Sequence, residues 1–184
     1  MTRPPATLAE LDALGEDAHA ELVAEVIYER PVTTFEHGDI AAQIVADLLP
    51  PYRRGRGSPG GWWIQGENDF VAGGVEVFRP DALGWRVERM PEPPVSGRVP
   101  VVPDWVLEVI SEPNRAHDEI VKREAYARVG GVAYWWLVDP AARSLVGHVL
   151  EGGVWRVLAR FERDAMARVA PFEEVGLAMK EWWR

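Results

Sequence analysis

The chain contains no cysteine. Disulfides and thiolate metal sites are thereby excluded, and nothing points to an oxidising compartment. No export signal is expected either, since the opening stretch MTRPPATLAELDALGEDA is acidic and lacks the apolar centre of a signal peptide. No uninterrupted apolar run reaches the length that spans a bilayer. A soluble, cytoplasmic protein without membrane association is the expectation. Positive charge is scarce, with 20 Lys and Arg against 29 Asp and Glu, a formal net charge of -9. A nucleic-acid binder ordinarily carries a basic face that replaces counterions on phosphate, so charge alone argues against that class. Two features oppose the argument. Metal ions offset a carboxylate cluster, and Arg53, Arg54 and Arg56 fall together in the glycine-rich loop YRRGRGSPGG. That loop reads equally as a solvated linker and as a phosphate contact.

What is present is apolar sequence, 47% of 184 residues, enough for one sizeable core in a single domain. Thr7 and Glu10 form a capping-box signature ahead of Leu8, Leu11 and Leu14, which predicts a short helix ended by Gly15. Residues 20–30, AELVAEVIYER, read as one strand stopped by Pro31. Residues 36–49 carry Ile40, Ile44, Val45, Leu48 and Leu49 at helical spacing, with Pro50-Pro51 as the stop. His37 stands in the first turn of that helix, where a surface or capping role is the simpler reading. Residues 62–65 and 70–78 read as strands of a hairpin or meander, the second broken at Gly73-Gly74. Asp81 then sits at a strand edge before the apolar residues 82–87, and a proline-rich loop follows.

Residues 104–110 are strand-like, with Trp105, Val106, Leu107, Val109 and Ile110 supplying β-branched and aromatic bulk. Glu108 is the exception. A period of two places it on one face with Asp104, Val106 and Ile110, so a carboxylate stands among apolar neighbours and needs a cation, a hydrogen-bonding partner or a proton. A helix is predicted from about residue 116 to 129, and on it Asp118, Lys122 and Tyr126 recur at i, i+4 and i+8, one stripe of acid, base and phenol. The run VAYWWLVDP is the strongest strand signal, and strand, helix and strand in this order predict parallel neighbours. Residues 144–150 and 154–160 flank Glu151-Gly152-Gly153 as a hairpin, and residues 171–183 form a terminal segment with Trp182 and Trp183 in a core or an interface.

If Asp81 and Glu108 converge, they make the oxygen-rich kind of site that magnesium or manganese prefers, with Glu21 completing the shell. Lys122 then offsets charge on the transition state or orients the attacking water, which is the chemistry of a nuclease. Blander accounts exist for most of these residues. Asp81 is an acid at a strand edge, Asp104 caps a strand, and Asp118 with Lys122 is an exposed helical pair worth about 0.3–0.5 kcal/mol. Glu108 resists such an account most, and Asp118, Tyr126 and Asp104 are secondary candidates for the same site.

Asp81 in FRPDALGW, PDWVLEVIS from Pro103 to Ser111, Asp118 with Lys122 and Tyr126, Gly131-Val132, and YWWLVDP over residues 134–140 together resemble the Uma family of restriction endonucleases. This is a bacterial group within the restriction-endonuclease-like, PD-(D/E)XK superfamily. Glu21 in AELVAE and His37 with its helix match in order, so the resemblance runs over nearly the whole chain. It implies an α/β (α+β) fold, a restriction-endonuclease-like mixed β-sheet flanked by helices, acting on DNA. It also implies Mg2+ or Mn2+ held by Asp81 and Glu108, Glu21 as the additional acid and Lys122 as the catalytic lysine. The simplest superfamily pattern has a lysine two residues after Glu108, where Ile110 stands; Lys122 on the helix takes its place, as is usual in this family. SEPN replaces a shorter SPS after the strand and touches no proposed ligand. A homodimer that pools the arginine loops, with exposed tryptophans at its contact, would ease the charge objection. The alternative is a protein that keeps the nuclease fold for binding or regulation without catalysis.

Overall fold

In the computed structural model, which describes residues 4–15, 18–30, 33–55 and 60–183, the local signals resolve into two main sheets and three α-helices. Helix α1 (Leu8–Asp12) starts at Thr7, whose hydroxyl accepts from Glu10 N while the Glu10 carboxylate accepts from Thr7 N, the reciprocal cap expected. Strands β1 (Ala20–Val23) and β2 (Val26–Glu29) follow as a hairpin, not the single strand predicted over residues 20–30. Its turn is Ala24 and Glu25, both left-handed at φ 48 and 63. Such a turn normally advertises itself with glycine, asparagine or aspartate, which is why it was invisible in the sequence. Its cost is offset by Glu76, whose Oε1 accepts from Ala24 N at 2.7 Å.

Helix α2 (Phe35–Leu48) is capped by Thr34 and buries Ile40, Ile44 and Leu48. Pro50 and Pro51 do not open a loop at once; they begin a π-helical turn, Leu49–Arg53. Then come β3 (Trp62–Gly66), β4 (Phe70–Ala72), β5 (Glu76–Phe78), β6 (Ala82–Arg86) and β7 (Trp105–Val109). A π-helical segment, His117–Lys122, runs into α3 (Arg123–Val129). The chain continues with β8 (Tyr134–Asp139), β9 (Ser144–Glu151), β10 (Val154–Glu162) and the short pair β11 (Met166–Ala167) and β12 (Leu177–Ala178).

The larger sheet has the order β10-β9-β8-β7-β6-β3 and the smaller one β2-β1-β5-β4. β7 and β8 are parallel, as their helical crossover predicts, and the other pairs of these sheets are antiparallel, so the fold is mixed α+β. β3 does not pair with residues 70–78. Gly73 and Gly74, at φ 58 and 75, close that run on itself as the β4–β5 hairpin, and β3 pairs with β6 instead. No helix among the described residues is long and apolar enough to cross a membrane.

β7 sorts its side chains by alternation. Trp105, Leu107 and Val109 enter a core with α2 and the C-terminal segment, where Phe172 meets the rings of Tyr52, Trp62, Trp105 and Trp136. Val106 enters the second core, with Phe78 and Tyr126, and Glu108 shares its face by alternation. None of the nine tryptophans is exposed, Trp182 being core and Trp183 half-buried. The exposed tryptophans invoked for a homodimer contact are therefore not found, Trp63 and Trp183 being half-buried and the others core.

Glu76 also ties the smaller sheet to α3. Its carboxylate accepts from Arg128 Nη1 and Nη2, both at 2.8 Å, so one side chain clamps the β1–β2 turn against the helix. Glu76→Ala leaves Ala24 N and Arg128 unpartnered and is expected to lower stability in urea by about 1–3 kcal/mol. An unchanged unfolding midpoint would show that the clamp carries nothing.

Candidate active site

Glu108 lies one residue before the end of β7, 1% exposed, beneath the π-helical segment and α3. Lys122 Nζ is 3.1 Å from each of its carboxylate oxygens, and Tyr126 OH donates to Oε1 at 2.6 Å. The same ammonium lies 3.2 Å from Glu21 Oε1 and 3.6 Å from Asp118 Oδ1. The predicted stripe of Asp118, Lys122 and Tyr126 is therefore real and faces inward. The reading of Asp118 and Lys122 as an exposed pair is overturned, since both are buried. The widened π turn that carries Asp118 and Lys122 is a local irregularity of the kind found at functional sites.

Glu21 enters from β1, fully buried, accepting from Arg79 N at 2.6 Å and lying 3.1 Å from His117 Nε2. Asp81 stands just before β6 and is stitched to the strand that carries Glu108. Its backbone N donates to Leu107 O at 3.1 Å, and its Oδ2 accepts from Val109 N at 2.7 Å. Oδ1 receives Arg30 Nη2 at 3.0 Å. His37 Nε2 is also 3.0 Å away, at ion-pair distance though without hydrogen-bond alignment.

Sequence reasoning missed Arg30 and His117 and gave His37 the wrong surroundings. His37 is a buried neighbour of Asp81, not the surface or capping residue expected. The reason is tertiary: α2 lays its first turn against the β6 end, and no spacing in the sequence encodes that. Arg30 closes the strand run and His117 adjoins Asp118, but neither position announces its partner. Asp104 is a correction in the other direction. It accepts from Arg86 N at 2.9 Å and pairs with Arg89 at 2.8 Å, a fastening of β6 outside the cluster. Arg53 lies over the Trp63 ring, Arg54 is exposed, and neither joins the acids; Arg56 lies outside the described residues.

The electrostatics follow from counting charges. Glu21, Asp81, Glu108 and Asp118 face Lys122 and Arg30, an excess of acid before the histidines are considered. Burial alone pushes Glu21 up, but Lys122, His117, Arg30 and the Arg79 N–H together hold it down to about 2. Asp81 is likewise depressed against its burial by His37, Arg30 and Lys122. Glu108 is pushed well above the ordinary carboxylate range by burial, with Asp118, Asp81 and Glu21 adding repulsion that Lys122 only partly relieves. Asp118 is raised for the same reasons. Lys122 is held charged against its own burial by Glu108, Glu21 and Asp118.

An all-oxygen donor set with surplus negative charge suits a hard divalent cation, magnesium or manganese, better than any soft metal. As the side chains stand, the Lys122 ammonium lies between Glu21, Glu108 and Asp118, and among the described residues no three Asp, Glu or His groups converge on one ion position. A groove of about 370 Å³, lined in part by His37, Gly38, Ala41 and Glu67, reaches the cluster at Asp81.

The Uma2 family, described as "Putative restriction endonuclease", matches residues 5–180. None of the curated proteins matches the chain. Among solved structures, the crystal structure of "a putative nuclease belonging to DUF820 from Anabaena variabilis ATCC 29413" is similar, with 22% sequence identity and a TM-score of 0.74 over 97% of this chain and 98% of that one. At that identity the likeness establishes a shared fold.

The charge arrangement makes a stability prediction of definite sign. Glu21, depressed from 4.5 to about 2, contributes stability that is complete above pH 4.5 and is lost as pH falls toward 2. Glu108, raised, acts oppositely: its contribution is full below its unfolded value and lost as pH rises through its folded one. At neutral pH without metal, Lys122→Ala is therefore expected to cost about 3–5 kcal/mol by stranding buried acids, whereas Glu108→Gln keeps or raises the melting temperature. Melts of the two variants giving the reverse order would refute this account of the cluster.

Proposed function

The chain belongs to the Uma2 family, and from that premise we propose that it is a metal-dependent endonuclease hydrolysing phosphodiester bonds in DNA. The observation that carries the reading is the placement of Lys122 Nζ at 3.1 Å from both oxygens of Glu108, with Asp81 bonded to the next residue of the same strand. An acid before one strand, an acid within its neighbour and a lysine directed at the second acid are the three parts such a reaction needs, although the lysine arrives from a helix.

Asp81, Glu108 and Glu21 are the residues that would hold Mg2+ or Mn2+. When bound, such an ion polarises the phosphodiester and lowers the pKa of water. The protein's own groups do the rest. Lys122 supplies a positive charge that orients the attacking water and offsets the charge developing on the phosphoryl oxygens. Tyr126 fixes Glu108 by hydrogen bonding, Asp118 steadies Lys122, and His117 steadies Glu21. Arg30 pairs with Asp81 as a buried cation, and His37, which lines the groove beside Asp81, stands toward an approaching phosphate.

The test is nicking of supercoiled plasmid and cleavage of single-stranded DNA by purified protein in magnesium or manganese. Asp81→Asn and Glu108→Gln retain side-chain shape and are expected to fall by ~10²-fold or more while remaining folded. Lys122→Gln is expected to lose activity similarly, with a folding control because its ammonium is fully buried. Equal background from native protein and variants would remove the nuclease reading and leave a fold used for binding or regulation.

A further inference from the structure

A second cavity, of about 450 Å³, lies between β3 and the proline-rich loop, and its chemistry differs from that of the acid cluster. One wall is the half-buried indole of Trp63, held in place by donation from Nε1 to Met90 O at 2.7 Å. The Arg53 guanidinium lies over that ring, 3.9 Å from its centroid. Arg30, Arg79, Arg98 and Arg128 each hold a carboxylate, but Arg53 makes no ion pair among the described residues. Gln65 and Asn68, joined by a 2.6 Å hydrogen bond, add two carboxamides, and Pro93 and Val95 form the outer rim.

We propose that this cavity receives an unpaired nucleobase, which makes the substrate DNA with a single-stranded or extruded nucleotide beside the scissile bond; the inference rests on the nuclease reading and specifies its substrate. An indole face stacks on any base, and carboxamides pair with base edges. Within a duplex both faces of a base are covered by its neighbours, so only an unpaired base can use the platform. The base takes the place of the Arg53 guanidinium on the indole, and the released guanidinium turns to a neighbouring phosphate, exchanging a cation–π contact for stacking and an ion pair.

The position suits this role. Gly66, three residues beyond Trp63 on β3, pairs with Ala82, which adjoins Asp81. At strand spacing that separation is roughly 10 Å, so a base at Trp63 and a phosphate at Asp81 belong to one short segment of a strand. Charge points the same way. A chain of net charge -9 is poorly equipped to neutralise the two phosphate rows of a duplex, and a single strand asks less of it.

The test is fluorescence anisotropy with a short, labelled thymidine oligonucleotide carrying a phosphorothioate backbone, which resists hydrolysis, in magnesium buffer. A matched duplex and a strand with one abasic position serve as competitors. Native protein is expected to prefer the single strand to the duplex. Trp63→Ala is expected to weaken single-strand binding about 5- to 150-fold, with Trp63→Phe retaining most of the affinity and duplex binding unchanged. A native protein that binds duplex as tightly as single strand, that binds neither, or that is indifferent to Trp63→Ala would overturn the proposal. Failure of the nuclease reading is distinct. If plasmid nicking is absent while binding depends on Trp63, the base site stands and catalysis falls. If nicking requires Glu108 while binding ignores Trp63, the reverse holds.

Discussion

The ammonium of Lys122, fully buried and shared among Glu108, Glu21 and Asp118, is the constraint on which the structure turns. Removing four carboxylates from water is costly, and the cost is bearable only if cations are placed among them. The three partners of Lys122 come from three places: the larger sheet, the smaller sheet and the π-helical segment. Glu21 cannot reach the ammonium unless the smaller sheet packs under α3, and Glu108 cannot unless α3 lies across β7. One charge therefore specifies the relative placement of the elements that assemble the site. The clamp of Glu76 on Ala24 and Arg128 fixes the same geometry from the far end of the helix.

The neutrality is incomplete, and that is what makes the cluster more than a fastening. Depressed acids at Glu21 and Asp81 lie beside raised ones at Glu108 and Asp118. Divergent values among neighbouring carboxylates arise where total negative charge exceeds local compensation. A divalent ion would relieve that excess, and in doing so would release Lys122 from neutralising acids to acting on a phosphate. The groove at Asp81 and the cavity at Trp63 both border β3, the edge strand of the larger sheet, so the proposed catalytic and base-binding sites would share one edge of that sheet.

Much of this was legible in the sequence where a residue contradicted its surroundings. Glu108 in an apolar strand, and the acid–lysine–phenol stripe on the helix, are visible because their periodicity puts polar groups on an inward face. Lys122 carried a further signal, being one of only two lysines in the chain. The parallel pairing of β7 with β8 followed from the crossover rule. Other features left no trace. The β1–β2 turn uses Ala24 and Glu25 in left-handed conformations and relies on Glu76, distant in sequence. His37 and Arg30 meet Asp81 only because α2 and β2 converge on β6. Asp104 shared the alternation of Glu108, yet a local bond to Arg86 N and a pair with Arg89 take it out of the site. Period gives the face of an element, not what the face will meet.

The central claim, that the acid cluster is a divalent-cation site balanced in advance by Lys122, is tested most directly by calorimetric titration of manganese into the native protein at pH 6 and pH 8, beside Asp81→Asn and Glu108→Gln. Because a raised carboxyl must surrender its proton to become a ligand, the account predicts tighter binding at pH 8 than at pH 6, with proton release, and loss of the site in both variants. Binding that survives both substitutions, or that is indifferent to pH, would place the metal elsewhere and contradict the account.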